Sequence, residues 1–286
     1  MRRAFPILGI LTAILLSYAL YQALVVAPTD AMQGEVYRII YYHVPSAWTA
    51  MLMFFINFIA SIQYLTRSDP KTDRIASVGA VVVGLVLFVI PFFVKLPEGM
   101  RASAVGTTGL LIAGIYFLIR KLFSPADTDV LALVSAEVGV VFCTIVLVTG
   151  PIWARPVWGI WWTWDTRLTS TLILWLIYVS YLMLRRFSSS GQTASLAAAL
   201  AIFGALDMPL VYFSIWFFRT QHPQPVLGGG GQIDPRMLHV WLLNFFAFLC
   251  FAYLVSWSRY RLEKLQREVN EAHAFESLKD VPRSAR

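Results

Sequence analysis

Eight stretches of this chain are almost unbroken apolar sequence, at about 6–27, 44–66, 75–94, 102–120, 130–150, 168–186, 195–216 and 236–258. An α-helix rises about 1.5 Å per residue, so about 20 apolar residues cross the hydrocarbon core of a bilayer. The runs are continuous and not alternating, which excludes a transmembrane barrel. The fold class is therefore an all-α polytopic membrane protein with about eight transmembrane helices. Composition agrees: 58% of the 286 residues are hydrophobic and 14% are charged, against about 25% charged in a soluble domain. Met1-Arg2-Arg3 precedes an apolar run to Ala27. That run is about twice the length of a signal-peptide core, so an uncleaved first span is expected.

Lys and Arg set the orientation. With the N-terminus in the cytoplasm, 16 of the 23 basic residues lie inside, and an even number of spans returns the C-terminus to the same side. The seven outside are Arg38, Lys95, Arg101, Arg155, Arg167, Arg219 and Arg236. Segments 28–43, 95–101, 151–167 and 217–235 then face outward. The net charge of +7 does not point to nucleic acid, because the basic residues punctuate apolar runs and form no patch.

Local signals mark the span ends. Pro6, Pro45 and Pro235 suit first helical positions, and Asp234 suits an N-cap. Pro91 and Pro209 should kink their spans. The Gly228–Gly231 run, after Pro223 and Pro225, should make the last outer loop flexible. Residues 1–258 form the transmembrane domain and 259–286 a cytoplasmic tail. In that tail Leu262, Leu265, Val269 and Ala272 recur at helical spacing, for an amphipathic helix that lies on the inner leaflet or docks on a partner. Cys143 and Cys250 lie in separate apolar runs, with no Cys-x-x-Cys pair for thiol chemistry or covalent haem attachment. No nucleotide-binding glycine loop is present in the sequence.

Trp153, Trp158, Trp161, Trp162 and Trp164 are five of the chain's ten tryptophans, and they fall with Arg155, Asp165 and Arg167 in one expected loop. One or two would serve as interfacial anchors. Five, with two arginines, fit a platform on which a flat conjugated ligand stacks and its carboxylates pair. Asp165 either caps the helix that follows or orients a ligand or imidazole. His43 and His222 flank the second and seventh spans on the same outer side, as polar boundary residues or as axial ligands to haem iron. His239 lies about one turn into the last span, where it either binds a ligand or, as the better fit, has a hydrogen-bonded structural role. Asp207 and Glu137 lie within spans, either on a proton or ion path or neutral and hydrogen-bonded.

Trp158-Gly159-Ile160-Trp161-Trp162-Thr163-Trp164-Asp165-Thr166-Arg167-Leu168-Thr169-Ser170 resembles the tryptophan-rich WWD signature of cytochrome c assembly proteins. Its Trp-Asp-x-Arg-Leu-Thr ending is similar to the CcmC branch, haem exporter protein C. Tyr37–Pro45, Val148-Thr149-Gly150 and Ile233-Asp234-Pro235 with Met237 are similar to that branch too, over about 28–66, 130–186 and 200–258. The resemblance implies a cytochrome c maturation factor that binds haem b at the external face of the inner membrane. It implies a cofactor site of the tryptophan loop, Asp165 and Arg167, with His43 and His222 as axial ligands. It implies presentation to a CcmE-type haem chaperone, and association with a CcmA/CcmB ABC module and CcmD. Such a protein is not an enzyme in its own right. Residues 67–125 would be an extra helix pair, since CcmC proteins typically have six spans. That pair and His239 keep a CcsA-like haem-lyase role open, and a haem transporter across the bilayer is a further alternative. A b-type electron-transfer subunit fits poorly, because that class needs histidines at matched depth within facing spans and no span here carries two.

Overall fold

The computed structural model describes residues 4–96, 102–188, 190–218, 220–223 and 233–279. The expected Gly228–Gly231 loop lies outside them, as do Arg101, Arg219 and the far end of the tail. Among the described residues there is no strand, and eight helical segments are long and apolar enough to cross a membrane. They are α1 (Ala4–Tyr21, continued by a π turn), α2 (Ile40–Thr66), α3 (Pro70–Val89), α4 (Ala102–Leu122), α5 (Pro125–Trp158), α6 (Thr166–Phe187), the pair α7 (Thr193–Ala205) and α8 (Asp207–Phe217) within one span, and α9 (Pro235–Lys279).

Three helices open with a capping side chain followed by proline, whose missing N–H costs nothing there. Asp69 accepts from the Thr72 N–H at 3.0 Å ahead of Pro70, and Ser124 from the Asp127 N–H at 3.2 Å ahead of Pro125. Asp234 accepts from the Arg236 N–H at 2.7 Å ahead of Pro235. Pro6 and Pro45 differ from expectation: Pro6 sits in the third position of α1 and Pro45 in the sixth of α2. The second span begins early because a 3-10 turn, Glu35–Ile39, runs straight into it. Pro91 falls in a 3-10 turn, Ile90–Phe92, that ends the third span. The seventh span breaks at Leu206, three residues before Pro209. The fifth span runs eight residues past its expected end, through Pro151 and Pro156, and stops at Gly159, whose φ of 79° is left-handed. Trp153 and Trp158 therefore stand on helix, and the irregular loop shrinks to 159–165.

Helices α2 and α5 form the centre. They approach closely because Gly139 carries no side chain: a Cβ there would sit 2.5 Å from Cε1 of Phe54. Phe54 in turn stacks on Tyr178 of α6, ring centroids 3.8 Å apart. Helix α1 lies on α9, and α6 carries α7 and α8. Helices α3 and α4 pack chiefly on each other and reach the rest through α2.

At the bundle end away from the tryptophans, ion pairs tie α9 to its neighbours. The buried Asp129 carboxylate accepts from Arg185 at 2.9 Å and pairs with Arg267 at 2.8 Å. Lys264 pairs with Asp127 at 2.8 Å, and Arg259 holds Glu137 through two bonds of 2.7 and 2.8 Å. Glu137 is thus an ion-paired carboxylate. Helix α9 is uninterrupted across residue 258, so the tail continues the last span with no break at which to turn. Leu262, Leu265 and Val269 are exposed on its other face.

Candidate functional site

A cavity of about 510 Å³ opens among α2, α5, α6, α8 and α9 at the end where the tryptophans lie. Its size falls within the roughly 300–1,000 Å³ of small-molecule sites. His43, His222, Trp153, Trp158, Trp162 and Arg167 all line it. They come from α2, α5, the 159–165 loop, α6 and the segment beyond α8, so the fold gathers residues that are up to 179 positions apart in sequence. Trp161 and Trp164 do not line the cavity; they point away, 57% and 77% exposed. A T-shaped contact of 5.8 Å between the Trp162 and Trp164 rings joins wall to rim.

The two histidines have the same hydrogen-bonding logic. His43 stands in the first turn of α2, with Nδ1 2.9 Å from Oγ1 of Thr149. That hydroxyl donates its own hydrogen to the Ile145 carbonyl at 2.7 Å, so it accepts from the imidazole. Nδ1 is the protonated nitrogen, and Nε2 keeps its lone pair. Gly150 makes room for the ring, since a Cβ there would lie 3.3 Å from Cε1 of His43. His222 donates from Nδ1 to the Pro223 carbonyl at 2.9 Å, and again Nε2 is left free. Burial first, and then the Arg167 guanidinium, pull the His222 pKa down to about 3, so the ring is neutral.

Asp165 both caps a helix and positions a loop. One carboxylate oxygen accepts from the Leu168 N–H at 2.9 Å and starts α6. The other accepts from Thr220 Oγ1 at 2.8 Å, the Gln221 N–H at 3.3 Å and Thr163 Oγ1 at 3.1 Å. Thr220 Oγ1 then accepts from the His222 N–H at 3.1 Å. Burial pushes the Asp165 carboxyl up, but these N–H and O–H donors hold it below the usual carboxylate range. Asp165 is not on the cavity wall. It joins the tryptophan loop to the segment bearing His222.

Three N–H groups on the wall are buried without a partner among the described residues: Nη1 of Arg167, Nε1 of Trp162 and Nε1 of Trp241. Unpaired buried donors are costly, and here all of them await an acceptor. Trp48 and Trp241, which were not among the expected site residues, are a T-shaped pair at 6.1 Å that forms part of the wall. An aromatic residue within an apolar span reads as lipid-facing, so neither carried a local signal. His239 is exposed on α9 and belongs to a shallow groove beside Gln22 and Val26, away from this cavity.

Together these features define a helical, multi-pass membrane protein with an aromatic, donor-lined cavity and two available imidazole nitrogens at one end of its bundle. The family model described as heme exporter protein C, CcmC, matches residues 1–96 and 89–275, and the chain belongs to that family. It is 29% identical to heme exporter protein C of Bradyrhizobium diazoefficiens over 96% of this chain and 84% of that one. It is 31% identical to a ccmC-like mitochondrial protein of cytochrome c biosynthesis from Marchantia polymorpha, over 82% of this chain and 76% of that one. The heme exporter protein C of Escherichia coli K12 is 28% identical over 90% and 82% of the two chains.

Proposed function

We propose that this protein acts in cytochrome c maturation by holding haem b at the external face of the cytoplasmic membrane and presenting it to a CcmE-type haem chaperone. The observation that carries the reading is the pair of imidazoles on one cavity, each with Nδ1 engaged and Nε2 free. Haem is the cargo. His43 and His222 ligate its iron, and Trp153, Trp158 and Trp162 hold the macrocycle by their faces and edges. Arg167, with the Trp162 N–H, takes a propionate. Trp161 and Trp164 form the exposed rim where the chaperone meets the haem edge.

In this role the protein is not an enzyme in its own right. It contributes orientation, bringing a reactive porphyrin edge to a fixed place. ATP-dependent work falls to associated CcmA and CcmB subunits, with CcmD as a further membrane partner. Helices α3 and α4 are an accessory pair, since none of their residues line the cavity. Passage of haem through the bundle is the weaker reading. Glu137 is engaged by Arg259, and neither it nor Asp207 lines the cavity.

The test is an absorption spectrum with a pyridine haemochrome assay on the purified protein. Wild type should carry haem, and His43→Ala and His222→Ala should each lose most of the Soret intensity. Full haem occupancy with an unshifted Soret band in both variants would remove the ligand assignment.

A further inference from the structure

Of the two carboxylates inside the eight apolar runs, Glu137 and Asp207, Asp207 is the one with no hydrogen bond or ion pair among the described residues. It opens α8 just past the break in the seventh span, yet makes no capping bond. By helical rise it stands about 21 Å from one end of the Thr193–Phe217 span and about 15 Å from the other, near mid-depth. Its Oδ2 is buried and unbonded, while the residue as a whole is half-exposed. The surrounding face is open and apolar: Phe203, Leu206 and Leu210 are 61%, 69% and 41% exposed. That face is the exposed one, since α7 packs on α2 and α6 and α8 packs on α6, and it takes no part in the cavity.

A carboxyl group at mid-depth with no partner is strongly unfavourable, and ionisable groups there pair or hydrogen-bond. The half-exposed side of Asp207 adjoins the break at Leu206, which is itself 69% exposed. We infer that the α7–α8 face around Asp207 is the seat of a partner subunit's transmembrane helix, which brings a hydrogen-bond-donating side chain to mid-depth. Charge complementarity identifies the occupant: lipid tails offer no donor. A second copy meeting this face symmetrically would place two carboxylates against each other. The partner's chemistry is therefore an apolar helix with one Arg, Lys, His, Asn or Gln near its centre, packed by Phe203, Leu206 and Leu210. This surface goes beyond the haem reading and does not depend on it.

The experiment places the photocrosslinker p-benzoyl-phenylalanine at Leu206 of the full chain, in cells expressing their own membrane proteins, and maps the crosslinked peptide by mass spectrometry. The expected product joins Leu206 to a transmembrane segment of a different protein, within about one turn of a donor side chain. Its yield should fall about tenfold or more in Asp207→Leu and persist in Asp207→Asn, whose amide oxygen still accepts. Replacing the partner's donor by Leu, with this chain left wild type, should cause the same loss, so a folding defect in Asp207→Leu cannot imitate the result. Adducts only with lipid or with a second copy, or a yield indifferent to Asp207→Leu, would overturn the assignment. Haem occupancy of Asp207→Leu, read separately, should equal wild type, which keeps this outcome distinct from that of the ligand test.

Discussion

At the residue scale, the site depends on which nitrogen of each imidazole carries the hydrogen. Thr149 decides this for His43, because its hydroxyl is already committed as a donor to Ile145. Thr149→Val keeps the shape and removes the acceptor, and losing such an orienting partner typically costs about 10–100-fold in metal affinity. Thr149→Val should therefore weaken haem binding by about that factor in a titration followed at the Soret band, while Thr149→Ser should stay near wild type. Equal affinities in the two variants would show that the hydroxyl does not act through the ring. Arg167 offers a second test, of the propionate. Arg167→Leu should lower affinity for haem about tenfold or more, as expected for a lost charge-assisted bond, but leave affinity for the haem dimethyl ester nearly unchanged. The two histidines, Arg167 and the tryptophan cluster were legible in the sequence, because their residue types are rare in apolar surroundings. Their partners were not. That Thr149 faces His43 depends on how α2 meets α5, and the division of the tryptophans between wall and rim depends on where Gly159 turns the chain.

At the scale of elements, eight apolar runs were enough to count the spans, since hydrocarbon thickness dictates their length. Their ends were less legible. Proline reads as a helix start, yet Pro45, Pro151 and Pro156 lie inside α2 and α5. Packing along the whole helix outweighs one missing hydrogen bond at each proline. The α3–α4 pair makes a separable unit. Gln63 Nε2 donates to the Tyr116 carbonyl at 2.7 Å and Arg67 Nη1 to the Phe123 carbonyl at 2.7 Å, so the entrance and exit of the pair lie side by side. A short flexible linker replacing residues 68–123 should bridge that gap, and removing two spans leaves every later span in its original direction. The shortened protein should insert in the membrane and bind haem within about threefold of wild type, since the shell that orients the ligands is untouched. Loss of haem from a shortened protein that still elutes as a single species would make α3–α4 part of the binding unit.

At the scale of the molecule, the proposed function depends on which side of the membrane the cavity faces. The excess of Lys and Arg at the opposite end of the bundle supports an external cavity, but Arg120, Arg185, Arg259, Lys264 and Arg267 there are paired with carboxylates. Such pairing lowers the net charge of that end without weakening the bias, because orientation follows the number of cations while Asp and Glu count for little. The pairs form only after the helices have packed, later than the step that orients them. The orientation can be read directly. Cys143 is buried and Cys250 half-buried, so both can be replaced by alanine to give a silent background. Trp164, 77% exposed on the rim, and His273, exposed on the far reach of α9, then serve as single-cysteine positions. In intact cells made permeable at the outer barrier only, a membrane-impermeant maleimide should label Trp164→Cys and spare His273→Cys. Disrupting the cytoplasmic membrane should make His273→Cys reactive as well. The reverse pattern would place the cavity in the cytoplasm, where it could not present haem to an external chaperone, whatever its ligands.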